Sequence, residues 1–472
     1  MAKKVIVPTK TPMAQQAPEV RIHNYQEVPM GYTAEEAIAE AQRCLDCPKP
    51  NCMPDCPVNI DFPGFIRLVA NGEFIAAALL VKKANALPAI TGRVCPQETQ
   101  CEGRCTLAKK FESVAVGRLE RFVADWERNS SEASAAGSVS TSTPAAATGQ
   151  KVAVVGSGPA GLTVAADLAK LGYQVTIFEA LHEAGGVLIY GIPEFRLPKT
   201  IVKYEVDYVR SLGVTIQKDF VVGYSATLEE LQKEYDAIFL GTGAGLPWFL
   251  GLPGENLGGV YSSNEYLTRA NLMKAYRFPE YDTPIAHGDR VLIIGGGNTA
   301  MDSARTALRL GAKESIIVYR RSRAELPARL EEVEHAEQEG VQFHLLTTPI
   351  AFYGEGGRVK ELECLKNELG EPDASGRRRP VAIEGSNFRI PADVMVVAVG
   401  QSPSPLISRV TPELTLGKGG IVVVDQASMK TSMKGVFAGG DVITGGATVI
   451  LAMGQAKIAS KAINEYLTTG VW

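Results

Sequence analysis

The chain has 472 residues, of which 45% are hydrophobic and 21% are charged, as in ordinary globular proteins. This length allows about three domains. The net charge of −4 gives no sign of a nucleic-acid or membrane-surface partner, and no apolar run reaches the ~18 residues of a membrane span. The basic N-terminus lacks the apolar segment of a secretory signal, so we expect a cytoplasmic protein.

Seven of the eight cysteines fall within the first 105 residues, in two short runs. The runs read C-x2-C-x4-C-x3-C and C-x5-C-x3-C, and their members are Cys44, Cys47, Cys52 and Cys56, then Cys95, Cys101 and Cys105. Soft thiolate ligands select zinc or iron–sulfur clusters. Seven thiolates with one non-cysteine ligand would hold two [4Fe–4S] clusters, which would make this an electron-carrying protein.

Two other uses of these cysteines compete with iron–sulfur clusters. Cys44 and Cys47 form an ordinary zinc half-site, but the second C-x2-C or histidine pair that usually completes a zinc ribbon is not nearby. Disulfide frameworks are typical of short secreted domains, whereas this chain is long and carries no secretory signal. We therefore rank clusters ahead of zinc, and both ahead of disulfides.

Residues 1–128 are predicted to form a helical module around these cysteines. Thr33 and Glu36 have the spacing of a capping box, at the start of a helix that leads to Cys44. Residues 61–70 and 73–83 show helical apolar spacing. Residues 129–150 are rich in serine and alanine and contain no aromatic residue, so they are predicted to be a flexible linker.

After this linker, a first unit has the order strand, glycine turn, helix and strand. Residues 151–155 form the first strand, a G-x-G-x-x-G motif follows, and the second strand ends at Glu179. The glycines allow a tight turn, close approach of a pyrophosphate and close helix–strand packing, and the acid can bind ribose hydroxyls. The predicted dinucleotide-binding residues are Gly156, Ser157, Gly158, Pro159, Ala160, Gly161 and Glu179.

A second unit repeats this order but ends in basic residues. Residues 290–294 form a strand, GGGNTA follows, and the next strand, 315–319, runs into Arg-Arg-Ser-Arg. Arginine binds a 2′-phosphate at the place where an NAD site has a carboxylate, so we predict an NADP(H) site rather than a merely solvated basic turn. Its candidate residues are Gly295, Gly296, Gly297, Asn298, Thr299, Arg320, Arg321 and Arg323.

The first site is assigned to FAD because the segment GVFAGGD, residues 435–441, needs a ligand. Gly440 permits close backbone approach, and Asp441 can bind the ribityl chain. A helix beginning near residue 447 would direct its positive end toward the flavin pyrimidine. A nicotinamide cannot pass single electrons to a cluster, so a flavin is needed between them. The predicted fold is α/β, with a helical iron–sulfur domain followed by two Rossmann-like domains.

The order of these motifs resembles one family. The cysteine runs, CEGRC, GSGPAG, GIPEFRLPK, GGGNTAMD, YRR and GVFAGGD occur in this order in the small subunit of NADPH-dependent glutamate synthase, the large subunit of NADH-dependent ferredoxin–NADP+ oxidoreductase and the N-terminal half of dihydropyrimidine dehydrogenase. The resemblance implies that an NADP(H) domain, residues 286–399, is inserted into an FAD domain formed by residues 151–285 and 400–472.

The resemblance also implies site residues. One cluster would be bound by Cys44, Cys47, Cys52 and Glu120, and the second by Cys56, Cys95, Cys101 and Cys105. Arg196 would contact the flavin, and Ala398 and Gly400 would line the nicotinamide site. Further FAD candidates are Gly186, Val187 and Val222. Cys364 matches no family site.

The function implied is electron transfer from NADP(H) through FAD and two [4Fe–4S] clusters to a partner subunit. Residues 56–66 look most like the ferredoxin–NADP+ oxidoreductase, which implies a partner with flavin and [2Fe–2S] and electron bifurcation among NADPH, NAD+ and ferredoxin, or a hydrogenase-linked complex. The alternatives are a glutamate synthase small subunit, a thioredoxin-reductase-like disulfide reductase and a non-catalytic assembly subunit. The disulfide reductase would need a C-x-x-C in a nucleotide domain.

Overall fold

The computed structural model describes residues 7–130 and 146–472. Most of the predicted linker, residues 129–150, lies outside these residues. The α-helices are α1 (Pro18–Arg21), α2 (Ala34–Ala41), α3 (Phe62–Ala70), α4 (Phe74–Ala84), α5 (Pro88–Val94), α6 (Val116–Asn129), α7 (Pro159–Lys170), α8 (Val187–Tyr190), α9 (Lys199–Ser211), α10 (Leu228–Glu234), α11 (Ser263–Asn271), α12 (Asn298–Arg309), α13 (Leu330–Gln338), α14 (Leu406–Val410), α15 (Asp441–Thr444) and α16 (Val449–Thr469).

The β-strands follow the same numbering along the chain. They are β1 (Ala14–Gln15), β2 (Pro29–Gly31), β3 (Lys151–Val155), β4 (Gln174–Phe178), β5 (Thr215–Gln217), β6 (Ala237–Leu240), β7 (Leu246–Pro247), β8 (Val260–Ser262), β9 (Arg290–Ile294), β10 (Glu314–Val318), β11 (Gln342–His344), β12 (Thr347–Glu355), β13 (Arg358–Pro372), β14 (Arg378–Ala382), β15 (Phe388–Pro391), β16 (Val394–Val397), β17 (Gln401–Ser402) and β18 (Val436–Ala438).

The N-terminal module contains helices α1–α6 and the short antiparallel pair β1–β2. The predicted capping box is confirmed, because the Thr33 hydroxyl accepts a hydrogen bond from the Glu36 amide (3.2 Å) and the Glu36 carboxylate accepts one from the Thr33 amide (2.8 Å). Among the described residues no single helix is long and apolar enough to cross a membrane, and the pair α4–α5, which meets those criteria only jointly, bends by 86°.

The rest of the chain is organised around two parallel five-stranded sheets. The first has the strand order β18-β6-β3-β4-β5, and the second has the order β11-β10-β9-β16-β8. Strand β18 returns to the first sheet after the second sheet is complete, so the second unit is inserted into the first, as expected. Strand β8 already belongs to the second sheet, which therefore begins before residue 286. The central strands are buried apolar runs because both faces of the sheets are covered. In the second sheet, helices cover one face and strands β12, β13 and β15 cover the other.

An antiparallel sheet of β12, β13, β14 and β15 extends from the second unit and was not predicted. Strands β12 and β13 are joined by Gly356 and Gly357, whose φ angles are +58° and +77°. Two consecutive residues with positive φ favour a tight hairpin, so this glycine pair is the sequence signal that identifies it. Residues 373–377 connect β13 to β14.

One apolar core continues from the N-terminal module into the first nucleotide-binding unit. At the contact, Gly454 of α16 lies against the loop that follows Cys56. A Cβ atom at Gly454 would lie only 2.6 Å from the Cβ of Pro57, so the close approach requires glycine. The module is therefore packed directly on the unit that it precedes.

Glu205 of α9 is a buried carboxylate at this same contact. Its Oε1 accepts a hydrogen bond from the Ala89 amide of α5 (2.7 Å), and its Oε2 has no hydrogen-bond partner among the described residues. Burial raises the pKa of Glu205 to about 7, although the cation of Lys82 opposes the effect. The ionised form is therefore destabilised in the folded protein.

We predict that Glu205→Gln stabilises the protein at pH 8 and has a much smaller effect at pH 5. An ordinary carboxyl group has a pKa of about 4.3, so the unfolded chain loses its proton first and stability falls as the pH rises from there toward 7. The expected gain at pH 8 is roughly 3 to 4 kcal/mol, seen as a higher thermal unfolding temperature. The exposed Glu234→Gln is the control and should change neither value. An equal effect of Glu205→Gln at both pH values would contradict this account.

Candidate functional site: one cavity between two nucleotide-binding units

A cavity of about 1220 Å³ lies where the carboxyl ends of strands from both parallel sheets meet. In open α/β sheets this edge is where nucleotides bind. Every predicted FAD residue except Gly161 lines the cavity, and every predicted NADP(H) residue except Arg323 also does. The structure therefore brings the two predicted sites together around a single space.

The glycines of the first motif act in three different ways. Gly156 has a φ of +99°, and a Cβ there would lie 2.5 Å from the Gly241 carbonyl oxygen. A Cβ at Gly158 would meet no atom within 4 Å, so the backbone at the start of α7 is open to the cavity. A Cβ at Gly161 would lie 1.9 Å from the Gly156 oxygen, which explains why Gly161 packs instead of lining the cavity. This cradle fits a pyrophosphate at a helix N-terminus.

Glu179 lies beside this cradle, as predicted, and its carboxylate is held on both oxygens. Oε2 accepts hydrogen bonds from the Ser157 amide (2.9 Å) and hydroxyl (2.5 Å), and Oε1 accepts one from the Leu181 amide (2.8 Å). A carboxylate has about four acceptor positions, so Glu179 keeps capacity for a ribose hydroxyl. These contacts fix its position at the cavity wall.

The opposite wall is formed by the segment that follows β18. Gly440 has a φ of +81°, and Asp441 begins α15, with its Oδ1 accepting a hydrogen bond from the Ala447 amide (2.9 Å). Burial raises the pKa of Asp441. Residues 445–449 line the cavity, and Thr448 caps α16. The N-terminal end of α16 therefore faces the cavity, as the sequence predicts.

Arg196 lines the cavity but is anchored to the second unit. Its Nη1 donates to both oxygens of Asp302 (2.8 and 2.7 Å), and its Nε lies 3.0 Å from Glu332 Oε1. Burial alone would lower the pKa of Arg196, but the two carboxylates outweigh it and raise the pKa. The flavin contact expected of this residue stays a prediction, and the structure adds a link between the units.

The link continues as a buried network of ion pairs. Arg305 bridges Glu332 (2.5 Å) and Glu339 (2.8 Å), and Arg21 of the N-terminal module pairs with the same Glu339 (2.7 Å). Arg309 also pairs with Glu339 (2.7 Å), and its guanidinium lies 3.8 Å from the centre of the Phe195 ring. We call this set the interdomain network, consisting of Arg21, Arg196, Asp302, Arg305, Arg309, Glu332 and Glu339.

Lys199 supports the cavity wall next to Arg196 and was not singled out from the sequence. Its Nζ donates to the carbonyl oxygens of Leu188 (2.9 Å), Leu197 (3.1 Å) and Ile192. Burial lowers the pKa of Lys199 to about 7. One amino group thus closes residues 188–197 into a loop, and Tyr190 of this loop faces the cavity.

The second glycine motif reproduces the geometry of the first. Gly295 has a φ of +145°, and a Cβ there would lie 2.3 Å from the Ala398 carbonyl oxygen. A Cβ at Gly297 would have no neighbour closer than a carbon of Pro327 at 4.0 Å, so the start of α12 is open to the cavity. The site therefore fits a second dinucleotide.

The three predicted arginines of this second site have different surroundings. Arg320 is exposed and lines the cavity. Arg321 also lines it, but the side chain is buried and pairs with Asp373 (2.5 Å). Arg323 lies away from the cavity and pairs with Glu337 of α13. Arg323 therefore does not line the cavity with the other predicted residues. It begins a 3-10 turn, and this turn directs its side chain toward α13.

Four of the seven N-terminal cysteines are half-buried neighbours of one another. Burial raises the pKa of Cys52 to about 11, and Cys105, Cys44 and Cys47 are the charged neighbours that raise it further. The Cys47 sulfur lies 3.6 Å from the hydroxyl of Thr106, which directly follows Cys105. We call Cys44, Cys47, Cys52 and Cys105 the outer set.

The other three cysteines are buried around Glu120, and we call them the inner set: Cys56, Cys95 and Cys101. Burial raises the pKa of Cys95, and Glu120 and Cys56 are its next strongest influences. Helices α5 and α6 touch closely enough that a Cβ at Gly92 would lie 2.5 Å from the Arg121 nitrogen, which places Glu120 beside Cys95. Cys105 therefore neighbours Cys52, and Glu120 neighbours Cys95, whereas the sequence grouped Cys105 with Cys95 and Glu120 with Cys52. Which cluster each residue binds stays a prediction.

Glu120 itself is fully enclosed. Its Oε1 accepts hydrogen bonds from the Asn85 amide group (2.8 Å) and the Thr91 hydroxyl (2.6 Å), and burial raises its pKa to about 7. Among the described residues, no three His, Cys, Asp or Glu side chains converge on one metal ion. A [4Fe–4S] cluster takes its ligands on separate irons, and buried thiols that resist ionisation are stabilised as thiolates by such a metal centre.

Cys95 of the inner set lies next to the nucleotide cavity. Val94 and Pro96, the residues on either side of Cys95, line the same cavity as Gly158 and Gly440. Helix α5 ends at Val94, so Cys95 begins the loop that reaches the cavity wall. The structure therefore joins the cysteine module and both nucleotide sites at one place.

Comparison with known proteins agrees with this arrangement. Residues 21–132 match the family described as dihydropyrimidine dehydrogenase domain II, 4Fe-4S cluster, and residues 150–461 match pyridine nucleotide-disulphide oxidoreductase. The chain is similar in fold to Mycobacterium tuberculosis FprA in complex with NADPH, with a TM-score of 0.57 and 22% identity over 68% of this chain and 85% of that one.

Two relatives are similar over most of this sequence. The NADP(+)-dependent formate dehydrogenase subunit beta of Moorella thermoacetica is 40% identical over 436 residues, which are 89% of this chain but only 60% of that relative. The glutamate synthase [NADPH] small chain of Halomonas elongata is 37% identical over 451 residues, 95% of this chain and 94% of the relative. The chain therefore belongs to the glutamate synthase small-chain family and is an NADP(H)-dependent oxidoreductase with FAD and [4Fe–4S] cofactors.

Proposed function

We propose that this chain is an electron-transfer subunit that moves electrons between NADP(H) and a partner protein. The observation that carries the proposal is the single cavity, which is lined by both glycine motifs and by the residues that flank Cys95. When bound, FAD exchanges a hydride with NADP(H) and single electrons with iron–sulfur clusters. The chain itself contributes position, because the rigid cavity walls would hold the two nucleotides against each other and beside Cys95.

We assign one [4Fe–4S] cluster to the inner set with Glu120 and one to the outer set. The inner cysteines are buried and Cys95 adjoins the cavity, whereas the outer cysteines are half-buried. This gradient of burial supports an order from the cavity to the inner set, then to the outer set, and from there to a partner. Glu120 is the non-cysteine ligand in this assignment, because its charge affects Cys95 more strongly than that of any other acidic residue.

The partner that we propose is a second redox subunit carrying flavin or iron–sulfur centres, in the cytoplasm. The sequence of residues 56–66 favours a bifurcating complex in which NADPH, NAD+ and ferredoxin exchange electrons, or one with a hydrogenase. The second candidate is a glutamate synthase large subunit, favoured because this chain spans 94% of the length of a glutamate synthase small chain. Formate oxidation by a partner subunit should also be assayed, because one relative is the NADP(+)-dependent formate dehydrogenase subunit beta of Moorella thermoacetica.

The first test is anaerobic purification, metal analysis and titration of the isolated chain with NADPH and with NADH. We expect about eight irons per chain and loss of flavin absorbance much faster with NADPH than with NADH. One or two zinc ions without loss of flavin absorbance would contradict the proposal. Adding candidate partners then separates the complexes: NAD+-dependent ferredoxin reduction indicates bifurcation, and glutamate formation from glutamine and 2-oxoglutarate indicates glutamate synthase.

The ligand sets are tested by serine substitutions. Cys52→Ser and Cys105→Ser should each lower the iron content from about eight to about four and leave the same residual EPR spectrum after reduction. Cys101→Ser should instead remove the inner cluster and leave the EPR spectrum of the outer cluster. Cys364→Ser is the control, since this buried cysteine lies on β13, far along the chain from both sets.

If the Cys105→Ser spectrum matches that of Cys101→Ser rather than that of Cys52→Ser, Cys105 does not belong to the outer cluster. That result would reject our assignment and support the grouping expected from the sequence. Glu120 is tested in the same way. Glu120→Gln keeps a ligand oxygen and should retain both clusters, whereas Glu120→Ala should lose the spectrum assigned to the inner set.

A further inference from the structure

A smaller cavity of about 570 Å³ opens beside the large one, at the carboxyl end of β10. The two cavities share Arg320, Arg321 and Arg377. Arg320 and Arg321 follow β10, where the ribose of a dinucleotide is bound. Arg377 comes from the connection between β13 and β14, so a separate sheet contributes to this end of the nucleotide site.

The charges around this smaller cavity are only partly compensated. Arg321 is buried and pairs with Asp373 (2.5 Å), whose Oδ1 also accepts hydrogen bonds from the Ser375 amide (2.8 Å) and hydroxyl (2.5 Å). These hydrogen bonds from Ser375, followed by Arg321, hold the pKa of Asp373 well below its usual range. Arg321 and Asp373 therefore cancel each other's charge and leave Arg321 bound to the hairpin.

Three guanidinium groups at this cavity have no acidic partner among the residues that the structure describes: Arg320, Arg377 and Arg379. Arg377 is half-buried, and its Nε donates to the Ser375 hydroxyl (2.9 Å), which holds the side chain in place. Several positive groups facing one space, without a protein anion to balance them, form a site for an external anion.

Of the three consecutive arginines at the start of β14, Arg377 and Arg379 line the smaller cavity and Arg378 does not. Residues two apart in an extended segment share a side, and both of these line the smaller cavity. Arg378 lies between them and lines neither cavity. It donates instead to the carbonyl oxygens of Leu369 (2.7 Å) and Gly370 (3.3 Å) of its own hairpin.

We propose that Arg377 completes the 2′-phosphate site of NADP(H) together with Arg320, so that the hairpin shares in the choice between NADP(H) and NAD(H). A phosphate dianion is best bound by more than one guanidinium group. The segment after β10 supplies only Arg320 for this purpose, since Arg321 is paired with Asp373 and Arg323 with Glu337. The inference rests on the proposed NADP(H) site and extends it to a residue far along the chain.

The test compares binding of adenosine 2′,5′-bisphosphate and AMP to the holoprotein by isothermal titration calorimetry. Arg377→Ala should weaken binding of the bisphosphate by about 10- to 100-fold and leave AMP binding unchanged, because a charge-assisted contact with the 2′-phosphate is lost. Arg320→Ala should have a similar effect, and Arg377→Lys should restore part of the affinity. In parallel, the KM for NADPH should rise in Arg377→Ala while that for NADH stays the same.

Arg378→Ala is the matched control, since it removes the same charge from the adjacent residue, which lies outside both cavities. Loss of affinity by Arg378→Ala equal to that of Arg377→Ala would show only a general charge effect and would overturn the inference. Arg320→Ala losing the bisphosphate while Arg377→Ala keeps it would also overturn it and leave NADP(H) binding intact. A wild-type protein that binds the bisphosphate no better than AMP would instead contradict the NADP(H) site itself.

Discussion

The relative position of the two nucleotide-binding units depends on the interdomain network. Charges taken out of water cost several kcal/mol unless they are paired, and removing one partner leaves the other uncompensated. Arg196 of the first unit is held by Asp302 and Glu332 of the second, and Glu339 extends the pairing to Arg21 of the N-terminal module. A shift of one unit against another would break buried pairs, so the network keeps both walls of the cavity in register.

The fixed cavity gives the two cysteine sets different surroundings. The inner set is buried beside Glu120, with Cys95 next to the cavity, whereas the outer set is half-buried. Burial, nearby charge and hydrogen bonds are what tune the reduction potential of an iron–sulfur cluster. In the proposed assignment, the same arrangement that places Cys95 beside the cavity would also give the two clusters different electrostatic environments.

The sequence predicted the features that depend on neighbouring residues. Strands β3, β4 and β9, the glycine motifs and the Thr33 capping box need only local patterns, and the structure has them where they were expected. The neighbours of Glu120 depend on how α5 packs on α6, and the ion pair of Arg321 depends on Asp373, 52 residues away. Neither contact has a local signature. The β12–β13 hairpin did have one, which is the Gly356–Gly357 pair.

The close contact between Gly454 and Pro57 lies within an apolar core that has no boundary between the module and the first unit. In some redox proteins a small domain swings on a tether and carries electrons between distant partners. Such a swing would here expose a large apolar face to water, which globular proteins avoid. The N-terminal module is therefore fixed in place, and the partner that we propose would have to dock on it and bring its own electron acceptor within reach.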